Sequence, residues 1–380
     1  MNYNQKANIQ DNVKCTMKNK CLHNTLLIIL SIMIMVIFTL PVMSQPDEEY
    51  YRGEILSVNN IEGDEYNRES IEQELEAKIT TGPHKGKIVT LSNVYVKGRE
   101  HLNALLEKGM QVIIVAFQTE EGVQFELQDV ARDRGLLYLV IGFALLLVGI
   151  GWIKGVKTLV SLVFTALIIW KVMFPLLLMG YSPIPVAVLS AVIIIVFILV
   201  VIGGFNYKTL AAIIGTGVGV LVAGALAYFI GEISHLTGFG SNEAQMLLTG
   251  DFDIDIRGLL FAGIIIGSLG AITDVAMSIA SSAVQIKEAN PLIDSKDLMV
   301  SAFNVGRDIM GTMSNTLILA YVGGSIHLLL ALMRFDINWL RIINMDLIAT
   351  EVVRGLAGSI GLIISIPVTA LAAAELIADR

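Results

Sequence analysis

Apolar residues in this chain come in long unbroken runs, not in the short periods of a soluble core. Beyond residue 134, seven stretches are apolar enough to cross a bilayer, at about 136–153, 157–180, 183–203, 209–232, 258–284, 309–331 and 352–375. An eighth run, Leu26–Leu40, lies near the N-terminus. A helix needs roughly 20 apolar residues to cross hydrocarbon, so the pattern predicts an α-helical polytopic membrane protein with about eight spans. Lys154–Lys157, the Pro183 and Pro185 segment, and Gly204–Thr209 supply the breaks between the early spans.

Residues 45–133 follow a different rhythm. Strands are expected at Tyr51–Asn59, Leu75–Thr80, Lys87–Ser92, Gln111–Gln118 and Val123–Val130, with residues 62–72 as a polar connection. Gly82-Pro83 and Gly122 mark the turns within two hairpins. Five short strands in so few residues suggest a small all-β barrel of the OB type, with a small β-sandwich as the alternative. The predicted domains are therefore 1–44, a basic N-terminus with an apolar run; 45–133, the β domain; and 134–380, seven helices.

Composition sharpens this picture. Charged residues make up 16% of the chain, against about 25% in a soluble domain. The net charge is −8, and no Lys/Arg cluster offers a nucleic-acid footprint. Cys15 and Cys21 both precede the first apolar run, so no disulfide can staple the β domain. The five histidines lack ligand spacing, and neither a metal nor a cofactor is expected.

Residues 1–44 fit either a cleavable signal peptide or an uncleaved anchor. Either one sends the β domain across the membrane. With the N-terminus inside, Lys154, Lys157, Lys208, Lys287, Lys296, Arg307 and the C-terminus also fall inside. Arg257, Arg334, Arg341 and Arg354 then fall outside. Residues 332–350 mix apolar and charged side chains and predict an interfacial helix anchored by Trp339, or a plain loop.

The candidate chemistry sits in residues 263–324. Gly263, Gly267, Gly270, Asp274, Ser278 and Ser281 form one stripe at helical spacing. Small residues there let another helix approach, and Gly215 and Gly219 make a similar packing face. Asp274 is the unusual member, because a carboxylate in hydrocarbon must be protonated, paired or hydrated. Such a residue reads as an ion site or as a structural hydrogen-bond centre. On the following span Asp308, Thr312 and Asn315 share a face, with Gly311 and Ser314 close to it and Thr316 adjacent. The two helices run antiparallel, and a count of about 1.5 Å per residue puts Asp274 and the Thr312–Asn315 face at similar depth. Asp251, Asp253 and Asp255 alternate, but Ile256 stands where a calcium loop needs glycine. No phosphate loop, nucleophile elbow or zincin helix is present, so no enzyme is expected.

Two motifs, GAITDVAMSIASS at 270–282 and GRDIMGTMSNTLILAY at 306–321, resemble the YibE/F family of bacterial membrane proteins. The resemblance extends over roughly 50–375 and implies a multi-pass protein of the bacterial cytoplasmic membrane. It carries no established activity. The mid-span Asp274 followed by Asn315-Thr316 on the next helix is also similar to SecD/SecF and RND transporter cores, where the acidic residue is associated with proton or cation coupling. The small outer domain departs from those cores. The expectation is an ion-coupled transporter or export component acting on an extracytoplasmic substrate or protein partner. A non-transporting scaffold that presents the β domain is the alternative.

Overall fold

The computed structural model describes residues 49–62, 70–96, 104–119, 122–240, 242–249, 254–335 and 337–378. They form two compact units divided between Ile150 and Gly151. The expected signal or anchor segment, Asp251 and Asp253 lie outside the described residues.

The first unit holds five strands, β1 (Glu49–Glu62), β2 (Ser70–Ile79), β3 (Ile88–Val96), β4 (Gln111–Thr119) and β5 (Gly122–Val130). Their order is β3-β2-β1-β4-β5, and every neighbouring pair is antiparallel. The edge strands β3 and β5 approach one another, so the sheet nearly closes into a barrel. A bulge between Ile55 and Ser57 bends β1, which pairs with β4 through one half and with β2 through the other. Alternation sets the faces. Gln73, Leu75, Ala77 and Ile79 point inward from β2, while Glu74, Glu76 and Lys78 point out.

Strand β2 starts at Ser70, five residues before the Leu75 expected from apolar alternation. The earlier part was hidden by a buried polar residue. Gln73 is only 1% exposed. Its Nε2 donates to Asn60 Oδ1 and Leu106 O at 2.9 and 3.0 Å. Its Oε1 accepts from Asn93 Nδ2 and Leu106 N, both at 2.9 Å. Gln73 thus replaces a core contact with four hydrogen bonds that hold the segment before β4 against the barrel.

The β2–β3 turn needs a glycine. Gly82 has φ +75° and sits against the Tyr51 ring. Gly82→Ala is expected to destabilise this unit by about 1–3 kcal/mol, through backbone strain and ring displacement. Thermal unfolding of the purified protein, followed by hydrogen exchange in β1 and β2, checks this.

The helices are α1 (Asp133–Ile168), α2 (Phe174–Leu178), α3 (Pro183–Gly203), α4 (Tyr207–Ile233), α5 (Asn242–Thr249), α6 (Ile256–Ala289), α7 (Ser295–Gly324), α8 (Ile326–Arg334), α9 (Trp339–Ile343) and α10 (Asp346–Ile377). A π-helical turn, Ile169–Met173, joins α1 to α2. Among the described residues five helical stretches are long and apolar enough to cross a membrane, or six when α7 and α8 count as one bent span. The first of these, Asp133–Leu178, has 46 residues, where the sequence predicts two spans. It is interrupted at Trp152, with φ 49° and ψ −127°, and not at Lys154–Lys157.

Two further boundaries differ from expectation. The span expected at 309–331 begins at Ser295, because the Asp294 side chain accepts from Asp297 N at 2.8 Å and caps the helix. It bends by 59° after Gly324. Residues 332–350 are not one interfacial helix. Asn338 caps the short α9, and α10 already starts at Asp346. Trp339 is exposed. Asp255, one of the alternating acidic residues, caps α6 by accepting from Gly258 N at 2.8 Å.

In the helical unit α10 packs against α4, α6 and α7. Small residues permit this. Gly215 faces Thr369, and Gly219 faces Gly361 and Ser365. The buried cluster includes Ile194, Ala212, Ile265, Ile272, Ile279, Leu362 and Ala370. Large apolar side chains such as Leu221, Phe229, Val352 and Leu371 are exposed instead, as suits a surface in contact with lipid.

Candidate functional site

The α6–α7 hairpin carries most of the candidate residues. Helix α6 is buried on nearly every side, through Phe261, Ile265, Leu269, Ile272, Ala276 and Ile279. The exception is one stripe: Gly263, Gly267, Gly270, Asp274 and Ser278 are all exposed in the single chain. Helix α7 packs inward through Leu298, Ala302, Gly306 and Leu317.

Two contacts fix the register of the hairpin. A Cβ at Gly306 would lie 3.0 Å from Ile279 Cδ1, and one at Gly267 would lie 2.6 Å from Tyr321 Oη. Asp274 follows Gly267 by seven residues, and Ser314 precedes Tyr321 by seven. Seven residues are about two turns, so both side chains return to the azimuth of the Gly267–Tyr321 contact, about 10 Å further along the hairpin. Asp274 and Ser314 are thus within about one turn of each other along the hairpin, Asp274 on the exposed stripe of α6 and Ser314 on the side of α7 that carries Tyr321.

The expected partners of Asp274 are arranged differently. Thr312 precedes Tyr321 by nine residues, about two and a half turns, and so sits on the opposite side of α7. Asp308, Thr312, Asn315 and Thr316 are all exposed. The Thr312 hydroxyl donates to Ile309 O and the Thr316 hydroxyl to Thr312 O, each at 2.9 Å. Among the described residues no hydrogen bond or ion pair joins Asp274 to Ser278, Asp308, Thr312, Asn315 or Thr316. Azimuth was not legible in the sequence, because it depends on which face of α7 packs inward. Of the glycines read as packing positions, Gly267 meets Tyr321 and Gly215 and Gly219 meet α10. No neighbour lies within 4 Å of a Cβ at Gly270 or Gly311.

Sequence reasoning missed Tyr321, and with it the charged pair above it. Ser314 Oγ and Tyr321 Oη are buried atoms without a hydrogen-bond partner. The Arg354 guanidinium lies 5.9 Å from the centre of the Tyr321 ring. It also pairs with Glu351 at 2.7 Å, and both side chains are less than a third exposed. The signal available in the sequence was the Glu351/Arg354 spacing of three in the first turns of an apolar helix. Beside this pair is a cavity of 390 Å³ lined by Glu243, Leu247, Leu259, Thr350, Glu351 and Arg354 among others. The α4–α5 connection is fastened to the start of α10 here, where Thr237 N donates to Asp346 Oδ1 at 2.9 Å. At the opposite end, Lys287 Nζ donates to Ala378 O at 2.6 Å. No group of His, Cys, Asp and Glu able to hold a metal ion occurs among the described residues.

Comparisons with known proteins agree with the division of the chain. A family model described as YibE/F-like protein matches residues 139–379. One described as YibE/F family N-terminal domain matches residues 49–130. No curated protein matches. No solved structure matches. None of these findings connects the chain to the SecD/SecF or RND cores.

Proposed function

The chain belongs to the YibE/F-like protein family, and from that premise we propose that it is an ion-coupled multi-pass transporter or export component in which Asp274 is the coupling carboxylate. The observation that carries this reading is Asp274 itself. It lies midway along a membrane-length helix, bears a titratable group, and has no salt-bridge or hydrogen-bond partner among the described residues. An ionised carboxylate is too costly to leave facing lipid. Its charge must therefore be met by a proton, a cation or water, and a change among these is what a coupling site uses.

The proposed orientation puts the β domain outside the cytoplasm and the C-terminus inside, which takes Asp133–Leu178 as two crossings divided at Trp152. Support comes from the lysines. Lys208, Lys287 and Lys296 flank the same ends of α4, α6 and α7, and the Lys287–Ala378 bond ties the end of α10 to them. The β domain would then meet the extracytoplasmic substrate or protein partner. The membrane would be the bacterial cytoplasmic membrane, and the role would not be enzymatic.

The test uses the full chain in proteoliposomes under an imposed proton or sodium gradient. Asp274→Asn is expected to abolish gradient-dependent flux, and Asp274→Glu to keep part of it. Flux in Asp274→Asn equal to that of the unaltered protein would rule the mechanism out.

A further inference from the structure

We propose that a hydrated path runs from the cavity beside Glu351 and Arg354, past Tyr321 and Ser314, to Asp274, and that Tyr321 with the Glu351–Arg354 pair forms its gate. This rests on the reading of Asp274 as a coupling carboxylate and adds the route by which a proton reaches it.

Along this route three buried hydroxyls lack a partner. Buried polar atoms in folded proteins almost always have a partner, and one without calls for a water or an ion. Thr350 Oγ1, Tyr321 Oη and Ser314 Oγ are three of six such atoms among the described residues. These three lie on α7 and the first turns of α10. Thr350 is 7% exposed and lines the 390 Å³ cavity, next to the Glu351–Arg354 pair. Arg354 stacks over Tyr321. The Tyr321 hydroxyl reaches across to Gly267 of α6, where a larger residue would displace it. Ser314 and Asp274 lie two turns further along their helices, within about one turn of each other. The sequence of groups therefore descends from the cavity to the carboxylate.

The cavity exceeds the space one water needs. Its polar lining groups, Glu243, Thr350, Glu351 and Arg354, give that water partners. From there each hydroxyl can accept a proton on one lone pair and release its own to the next water. No hydroxyl is left charged, and the proton ends on the Asp274 carboxylate. The Tyr321 ring and the ion pair stand between the cavity and Ser314. Movement of Arg354 away from the ring would open the route.

The experiment uses the full chain with Cys15 and Cys21 replaced by serine. Ser314→Cys is exposed to a membrane-impermeant cationic thiol reagent, with exposed Gln245→Cys marking the face that carries α5. Ser314→Cys should react from that face at least about tenfold faster than Leu317→Cys in the packed core. Adding Tyr321→Ala should accelerate it several-fold further. A Ser314→Cys rate no greater than that of Leu317→Cys, or reaction only from the opposite face, overturns the path. Should the cysteine variants fail to fold, radiolytic footprinting of the unaltered chain reads the same water. Tyr321 modified at a rate within a few-fold of exposed Tyr181 supports the path, and an unmodified Tyr321 overturns it. The two proposals fail separately. An inert Ser314→Cys alongside flux-dead Asp274→Asn removes the path and leaves the coupling site. A reactive Ser314→Cys alongside unaltered flux in Asp274→Asn removes the coupling site and leaves the path.

Discussion

Gly219→Leu should keep the helical unit from assembling, whereas Gly217→Leu, two residues away, should be tolerated. The difference is entirely one of azimuth. A Cβ at Gly219 would lie 2.8 Å from the carbonyl oxygen of Gly361, 2.8 Å from Ile272 Cγ2 and 2.9 Å from Ser365 Cβ. One of these is backbone, which cannot swing aside as a flexible side chain would. The reciprocal contact is closer still, since a Cβ at Gly361 would meet the Gly219 carbonyl oxygen at 2.5 Å and Ala223 Cβ at 2.7 Å. A side chain at either position forces α4 and α10 apart along their crossing. Overpacking in a dense core commonly costs about 1–3 kcal/mol, and displacement of two backbones lies at or above the upper end of that range. Gly217 has nothing within 4 Å of its would-be Cβ, so a leucine there adds an apolar group to an open surface. Yield of monodisperse protein in detergent and its melting temperature check both variants. Equal behaviour of the pair would mean that the α4–α10 crossing is not as close as it stands here.

Gln73→Leu should destabilise the β unit by about 2–4 kcal/mol, although the replacement is apolar, similar in size and buried. The side chain makes hydrogen bonds to Asn60, Asn93 and both backbone polar groups of Leu106. Leucine would leave Leu106 N and O without these partners at a buried position. A buried unsatisfied donor or acceptor costs about 1–3 kcal/mol each. Asn93 keeps its bond to Ala104 O at 3.0 Å, which limits the loss on that side. Hydrogen exchange in the full-length protein should show faster exchange at Leu106 and along β2 and β3, with the helices unchanged. Protection equal to that of the unaltered chain would count against the network. A fold built only on apolar alternation would predict the opposite sign, because leucine continues the inward row of Leu75, Ala77 and Ile79.

Much of this architecture was legible in the chain. Long apolar runs imply helices long enough to cross a bilayer, because hydrocarbon offers no hydrogen-bond partners to the backbone. Alternating residues around Leu75 and Leu91 imply strands because a pleated sheet turns successive side chains to opposite faces. Helix ends were harder to read. Asp255, Asp294 and Asn338 act as caps, and a single polar side chain near an apolar run reads equally well as loop or helix start. The interruption at Trp152 left no mark, since tryptophan is not a residue that predicts a break.

Asp274 as a carboxylate within an apolar run of membrane length was determined by the sequence alone, through hydropathy and spacing. Which side chains share its side of the hairpin was decided only by the tertiary structure. Periodicity assigns residues to faces of one helix but gives no rotation of that helix relative to its neighbour. Close packing of Gly267 on Tyr321 and of Gly306 on Ile279 sets that rotation, and it turns Ser314 and Tyr321, not Thr312 and Asn315, toward α6.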